Sequence, residues 1–177
     1  AADGYVSGII RDNDNGTTAI KLQIVKAGSS TLTFSGANIV YTGNTTVNGG
    51  VLKLSNTTAY ASAIVTNNAT VRMFADGNNA AMIASRLSGP GDWIVDGPGG
   101  GTIYQNRIVL RGTASDNTGT VSVIVGGKLW FDTGNTALGD NAVVDIGPSA
   151  GLYVWKGIGE TIGGLSGNGT VYGVSDV

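Results

Sequence analysis

The sequence contains no cysteine and no histidine, and only 3 prolines among 177 residues. Zinc centres built on thiolate or imidazole, cysteine nucleophiles and Ser-His-Asp triads are therefore excluded by inventory. A chain without cysteine suits either a reducing compartment or bacterial export. Charge is also scarce: Asp, Glu, Lys and Arg make up 12% of the chain, and the net charge is -2. With 10 basic residues and no basic run, the footprint that neutralises nucleic-acid phosphates is missing. Apolar runs stop at about four residues, far short of a membrane-spanning helix. Residues Ala1 to Val6 carry neither the charged nor the apolar region of a signal peptide. The strand-like text at both ends sets the expectation of one domain, residues 1–177, excised from a larger exported protein.

What the chain has in quantity is glycine, 30 residues, within a hydrophobic fraction of 41%. That combination is wrong for disorder, which needs low hydrophobicity and high net charge. It suits short strands separated by tight turns. Thr31-Leu32-Thr33-Phe34, Val51-Leu52-Lys53-Leu54, Val71-Arg72-Met73 and Lys128-Leu129-Trp130-Phe131 alternate with period two, as strands with one buried face do. Turn text punctuates them at Ser35-Gly36, Asn48-Gly49-Gly50, Asp76-Gly77, Asp96-Gly97 and Gly126-Gly127. No stretch carries convincing helical periodicity; 79–86 is the nearest, and it reads as irregular entry into a strand.

Longer self-similarity is present too. Leu87-Ser88-Gly89-Pro90-Gly91 returns as Leu165-Ser166-Gly167-Asn168-Gly169, and Asn48 to Leu54 returns as Val125 to Phe131. Asn68 to Phe74 returns as Ser149 to Trp155, which gives tandem units of about 80 residues. Short strands at near-regular spacing inside a tandem repeat predict an all-β fold: a right-handed parallel β-helix of about seven or eight coils. Each coil of about 20 to 25 residues supplies two or three short strands that pair in parallel, about 4.8 Å apart. A β-sandwich is the alternative for so many short strands.

The stretch Thr31-Leu32-Thr33-Phe34-Ser35-Gly36-Ala37-Asn38, followed by Tyr41-Thr42-Gly43-Asn44-Thr45-Thr46-Val47-Asn48-Gly49-Gly50-Val51-Leu52, resembles the passenger-associated repeat of bacterial autotransporters. Leu165 to Val171 resembles text common in the same proteins, whereas Ile103-Tyr104-Gln105-Asn106 departs from the pattern. The resemblance implies a right-handed parallel β-helix and an extracellular location, secreted or on the cell surface. A second resemblance, in size and aromatic pattern, is to β-helical carbohydrate-binding modules of the xylan-binding type. It implies a polysaccharide partner and a catalytic domain elsewhere in the parent chain.

Catalysis finds little support in the residues. No G-x-x-x-x-G-K-[ST] loop occurs, and Gly97 to Gly101 reads as a flexible turn. Glycoside hydrolysis needs two carboxylates across the scissile bond. Asp92 and Asp96 are the best pair by spacing, but Asp96-Gly97-Pro98 is itself turn text. No enzyme activity and no cofactor are expected. Asp12-Asn13-Asp14-Asn15-Gly16 has the alternate acids of a calcium loop but lacks the third ligand and the downstream Glu. A turn held by side-chain hydrogen bonds is its plainer reading, with a weak calcium site at Asp12 and Asp14 as the other.

The aromatics carry the functional expectation. If Leu52 and Leu54 point inward, Lys53 stands outside; by the same alternation Leu129 and Phe131 put Trp130 outside. Val71 and Met73 leave Arg72 and Phe74 outside, and Leu152 and Val154 leave Tyr153 and Trp155 outside. Exposed aromatics invite association unless they are used, and Trp and Tyr suit the apolar face of a pyranose. The reading is a sugar-binding platform of Trp130, Trp155 and Tyr153, with Asp132, Gln105, Asn106 and Arg107 as polar neighbours and Trp93 as a secondary candidate. The function it predicts is non-catalytic binding of a plant polysaccharide, xylan favoured. Two other readings stand beside it: rings stacked as an external ladder for stability, and a stalk or adhesin segment of a passenger domain.

Overall fold

The computed structural model describes residues 2–14, 19–77, 80–132 and 136–175. An eight-stranded sheet forms the spine, through Gly4–Val6, Thr31–Ser35, Val51–Ser55, Thr70–Phe74, Asp92–Asp96, Thr120–Val123, Val143–Ile146 and Gly164–Gly167. Every neighbouring pair in it is parallel. Thr31 lies opposite Val51, Val51 opposite Thr70 and Thr70 opposite Asp92, so the chain returns to the same row every coil. The fold is an all-β solenoid of about seven coils, and no helix occurs among the described residues.

Two shorter sheets flank the spine. A four-stranded parallel sheet joins Ile24–Lys26, Thr45–Val47, Ile64–Asn67 and Arg86–Ser88 in the first half. A five-stranded parallel sheet joins Ala81–Ile83, Arg107–Leu110, Lys128–Phe131, Gly151–Trp155 and Thr170–Val174 in the second. Ala81–Ile83, Arg86–Ser88 and Asp92–Asp96 follow one another, so a single coil carries a strand of all three sheets. Elsewhere the third side is held by separate bonds, such as Tyr60 N–H to Met82 O and Asp116 N–H to Leu87 O. Asn13–Asp14 and Ala19–Ile20 form a small antiparallel pair near the start.

Period-two alternation dictates what fills the tube. Leu52, Val71, Trp93, Val121 and Val144 form one inward row of the spine, and Phe34, Leu54, Met73, Val95, Val123 and Ile146 the other. All are buried, and each such side chain contributes about 1.5–3 kcal/mol. Trp93 therefore belongs to the core between Val71 and Val121, and it leaves the set of ligand-facing aromatics. Close stacking of coils also fixes corner glycines. A Cβ at Gly43 would stand 2.0 Å from the Leu22 carbonyl oxygen, and one at Gly112 1.9 Å from that of Ser85.

The 80-residue matches relate different sides of the solenoid. Val51–Ser55 and Thr70–Phe74 lie in the spine, while Lys128–Phe131 and Gly151–Trp155 lie in the five-stranded flank. The unit that repeats in space is the coil. Any two strands with one face inward share the same alternating text, whichever side of the tube they occupy.

Candidate functional site

The outer face of the five-stranded flank carries an unusual row: Met82, Val109, Trp130, Tyr153 and Tyr172 stand opposite one another on successive coils. Outward orientation of Trp130 and Tyr153 agrees with the alternation, since Leu129, Phe131 and Leu152 lie in the core. Open exposure does not. Trp130 is 1% exposed and Tyr153 5%, in an apolar cluster separate from the core and completed by Val109 and Val174. The correction has a geometric cause. Rows spaced by one coil put flat rings in stacking range: Trp130 and Tyr153 are 4.9 Å apart at 10°, Tyr153 and Tyr172 4.6 Å apart at 10°. Gly151 supplies the floor, for a Cβ there would meet the Tyr153 ring at 2.6 Å. The rings cover one another.

The other side of Trp130 is closed by the loop between Asp96 and Arg107. Gly99, Gly100 and Gly101 all take positive φ, which lets this loop fold back tightly. The Lys128 ammonium gathers it by donating to the carbonyls of Gly100, Thr102 and Gln105 at 2.8, 2.7 and 3.2 Å. Burial pulls the pKa of Lys128 down from its ordinary value. Asn106 Nδ2 donates to the Gly99 carbonyl, and the Thr102 N–H donates to Gln105 Oε1 at 2.9 Å. Gln105 and Asn106 thus spend these groups inside the loop. The loop delivers Tyr104 to 5.6 Å from Trp130, and Arg107 lays its guanidinium 4.9 Å from the Trp130 ring centre and 5.4 Å from that of Tyr104.

Trp155 stands at the margin, half-buried and tilted 37° to Trp130 at 6.1 Å. Asp132 receives two hydrogen bonds from Arg111, at 3.1 and 2.7 Å. Tyr104, Arg107, Trp130, Asp132 and Trp155 enclose a shallow depression of about 260 Å³. Five of the residues singled out in the sequence (Trp130, Trp155, Tyr153, Asp132 and Arg107) thus meet on this face. Tyr104, Lys128, Arg111 and Tyr172 escaped the sequence reading. Comparing positions one coil apart, rather than 80 residues apart, would have aligned Val109, Trp130, Tyr153 and Tyr172.

Residues 24–54 match a family model, the passenger-associated-transport-repeat. No curated protein and no solved structure is detectably similar to the chain. The matched segment spans Ile24–Lys26, Thr31–Ser35, Thr45–Val47 and most of Val51–Ser55, so it covers strands of the spine and of the four-stranded flank. Polar residues in and beside this segment have a structural use. Tyr41 Oη lies 2.5 Å from Thr45 Oγ1 and 2.7 Å from Tyr60 Oη, and Thr45 Oγ1 lies 2.8 Å from Ser62 Oγ, which donates to the Gly43 carbonyl. Four hydroxyls satisfy one another inside the tube, where an unpaired one would cost about 1–3 kcal/mol. Desolvation raises the pKa of Tyr41 and drives that of Tyr60 well above the ordinary value of 10.0.

Two of the acids singled out in the sequence, Asp96 and Asp12, are likewise engaged structurally. Asp96 is ion-paired with Arg72, which binds it through both Nε and a terminal nitrogen, while Asp92 is exposed. Asp12 accepts the N–H groups of Leu22 and Thr42 at 2.8 and 2.9 Å and the Thr42 hydroxyl at 2.5 Å. The Thr42 hydroxyl first, then the Leu22 N–H, hold its carboxyl below the ordinary 3.8. It closes a turn between coils. Residues Asn15 and Gly16 of the calcium-like text lie outside the described residues.

Proposed function

We propose that this chain is a structural solenoid segment of an exported passenger domain, which folds outside the cell and carries other parts of its parent away from the surface. The observation that carries the reading is the fate of the outward aromatics. Trp130 and Tyr153 are spent on each other, on Tyr172 and on Arg107, as external reinforcement of the coil stack. The passenger-associated repeat over residues 24–54 supports the same class and a secreted or cell-surface location. No catalytic role follows from this arrangement.

The test places the chain between an N-terminal reporter and a translocating β-barrel in a bacterial host. Surface display of the reporter should fall several-fold when Gly43→Val blocks coil stacking within the repeat. Equal display from the folded and the stacking-defective chain would remove the reading. A second reading, polysaccharide binding with xylan as the first ligand to try, draws on the partial exposure of Trp155. Gel retardation by xylan that is lost in Trp155→Ala would favour it.

A further inference from the structure

Arg107 differs from the other arginines on the flanks and spine. Arg72, Arg86 and Arg111 each pair with an aspartate one coil on, namely Asp96, Asp116 and Asp132. Arg107 has two aromatic faces and no carboxylate within salt-bridge distance among the described residues. Its Nε is buried without an acceptor, and so is Nε1 of Trp130, itself 1% exposed. Both residues line the depression. The row that Arg107 begins continues with Lys128, Gly151 and Thr170, so it holds two cations and no acid. Beside it, Asp132 is neutralised by Arg111. The depression is therefore locally cationic on a chain whose net charge is -2.

We infer that this depression is a binding site for a carboxylate-bearing pyranose, an acidic sugar residue. Arg107 is already oriented by Tyr104 and Trp130, so its planar fork loses little freedom on meeting a carboxylate. Trp155, half-buried, and the exposed Tyr104 offer accessible ring surface in the depression for the apolar side of the sugar. Asp132, held by Arg111, keeps lone pairs for a hydroxyl donor. A volume of about 260 Å³ falls just under the range of about 300–1,000 Å³ usual for small-molecule pockets, which suits a single sugar ring held shallowly. The ladder and this site share Arg107: the face of its guanidinium rests on Trp130, and its hydrogen-bond donors serve the ligand beside Trp155.

The experiment is affinity electrophoresis and calorimetry of the intact chain in physiological salt. The probes are polygalacturonate, its fully methyl-esterified form, sialyllactose and a neutral β-glucan. Binding of an acidic probe, absent for the ester and the glucan, is expected. It should weaken roughly tenfold or more in Arg107→Gln and in Trp155→Ala, and less in Arg107→Lys. Lys53→Gln, which removes the same charge beside Phe74 on the spine, should leave binding intact. Polygalacturonate and sialyllactose separate an internal uronate from a terminal acidic sugar as the source of the carboxylate. Melting temperatures establish that the variants fold. Equal binding of acid and ester, no binding of either acid, or undiminished binding by folded Arg107→Gln would each overturn the inference.

Discussion

Replacing Trp130 by alanine separates a reinforcing ladder from an open platform. The ring is almost wholly buried, stacked on Tyr153 and covered by Arg107. A buried aromatic removes about 150–250 Å² from water, which at about 25 cal/mol per Å² corresponds to about 4–6 kcal/mol as an upper figure. Ring stacking adds about 0.5–1.5 kcal/mol and the cation about 0.5–1. Against these, the indole N–H is buried without a partner, which returns about 1–3 kcal/mol on removal. These contributions bracket a loss of about 2–7 kcal/mol, and the usual cost of truncating a large buried aromatic to Ala, about 3–5 kcal/mol, lies inside that span. Trp130→Phe should recover much of it, because Phe keeps a ring and discards the unpaired donor. For a chain of this length, 1 kcal/mol moves the melting temperature by about 2–4 °C, so Trp130→Ala should melt at least 6 °C lower. Urea titration followed by near-ultraviolet circular dichroism measures the change directly. A loss under about 1 kcal/mol would refute the reasoning, since it would mean that the indole is not packed in solution and the face is open.

Gly112→Ala should destabilise by about 3 kcal/mol or more, because the new Cβ meets a carbonyl of the preceding coil, whereas Gly8→Ala, with open space around it, should change little; thermal melts of the two compare them. Asp12 has a folded pKa below its unfolded 3.8, so its stabilising bonds are complete above 3.8 and are lost as pH falls through the lower folded value. The amide resonances of Leu22 and Thr42 should titrate together with a midpoint under 3.8, and a midpoint above it would count against the turn described. Glu160 shows the opposite sign: burial raises its pKa above 4.5 despite N–H bonds from Leu138 and Ala137. Its ionised form therefore costs stability at neutral pH, and that cost should vanish as pH falls through the raised value towards 4.5, seen as a narrowing gap between wild type and Glu160→Gln. Tyr41 and Tyr60 should resist ionisation beyond pH 10 until the fold opens; ultraviolet absorbance that tracks a single ordinary tyrosine titration would contradict their buried hydroxyl cluster.

Facing was legible in the sequence because it is local. Leu52 and Leu54, or Val71 and Met73, announce an inward side two residues at a time, and the structure places them there. Covering was not legible, because it depends on what lies one coil away. Nothing within ten residues of Trp130 tells that Tyr153 stacks on one side, or that Lys128 draws a glycine loop across to bring Tyr104 over it. Trp93 was ambiguous for a related reason: Asp92-Trp93-Ile94-Val95-Asp96 alternates equally well with either phase, and only the row through Val71 and Val121 assigns one. The tandem matches misled about spacing, since strands on different sides of a tube share one pattern.

Among the described residues, the strands of the two flanking sheets share only the coil that contains Ala81–Ile83, Arg86–Ser88 and Asp92–Asp96. In mechanical terms this coil is a splice. Tension along the axis reaches two lengths of rod, each laced by strands along the spine and one flank and by separate bonds on the third side, through a junction with strands on all three sides. Under load, coils should therefore peel from either end and halt at the splice, leaving a short resistant segment around residues 81–96 from which the rest can rewind.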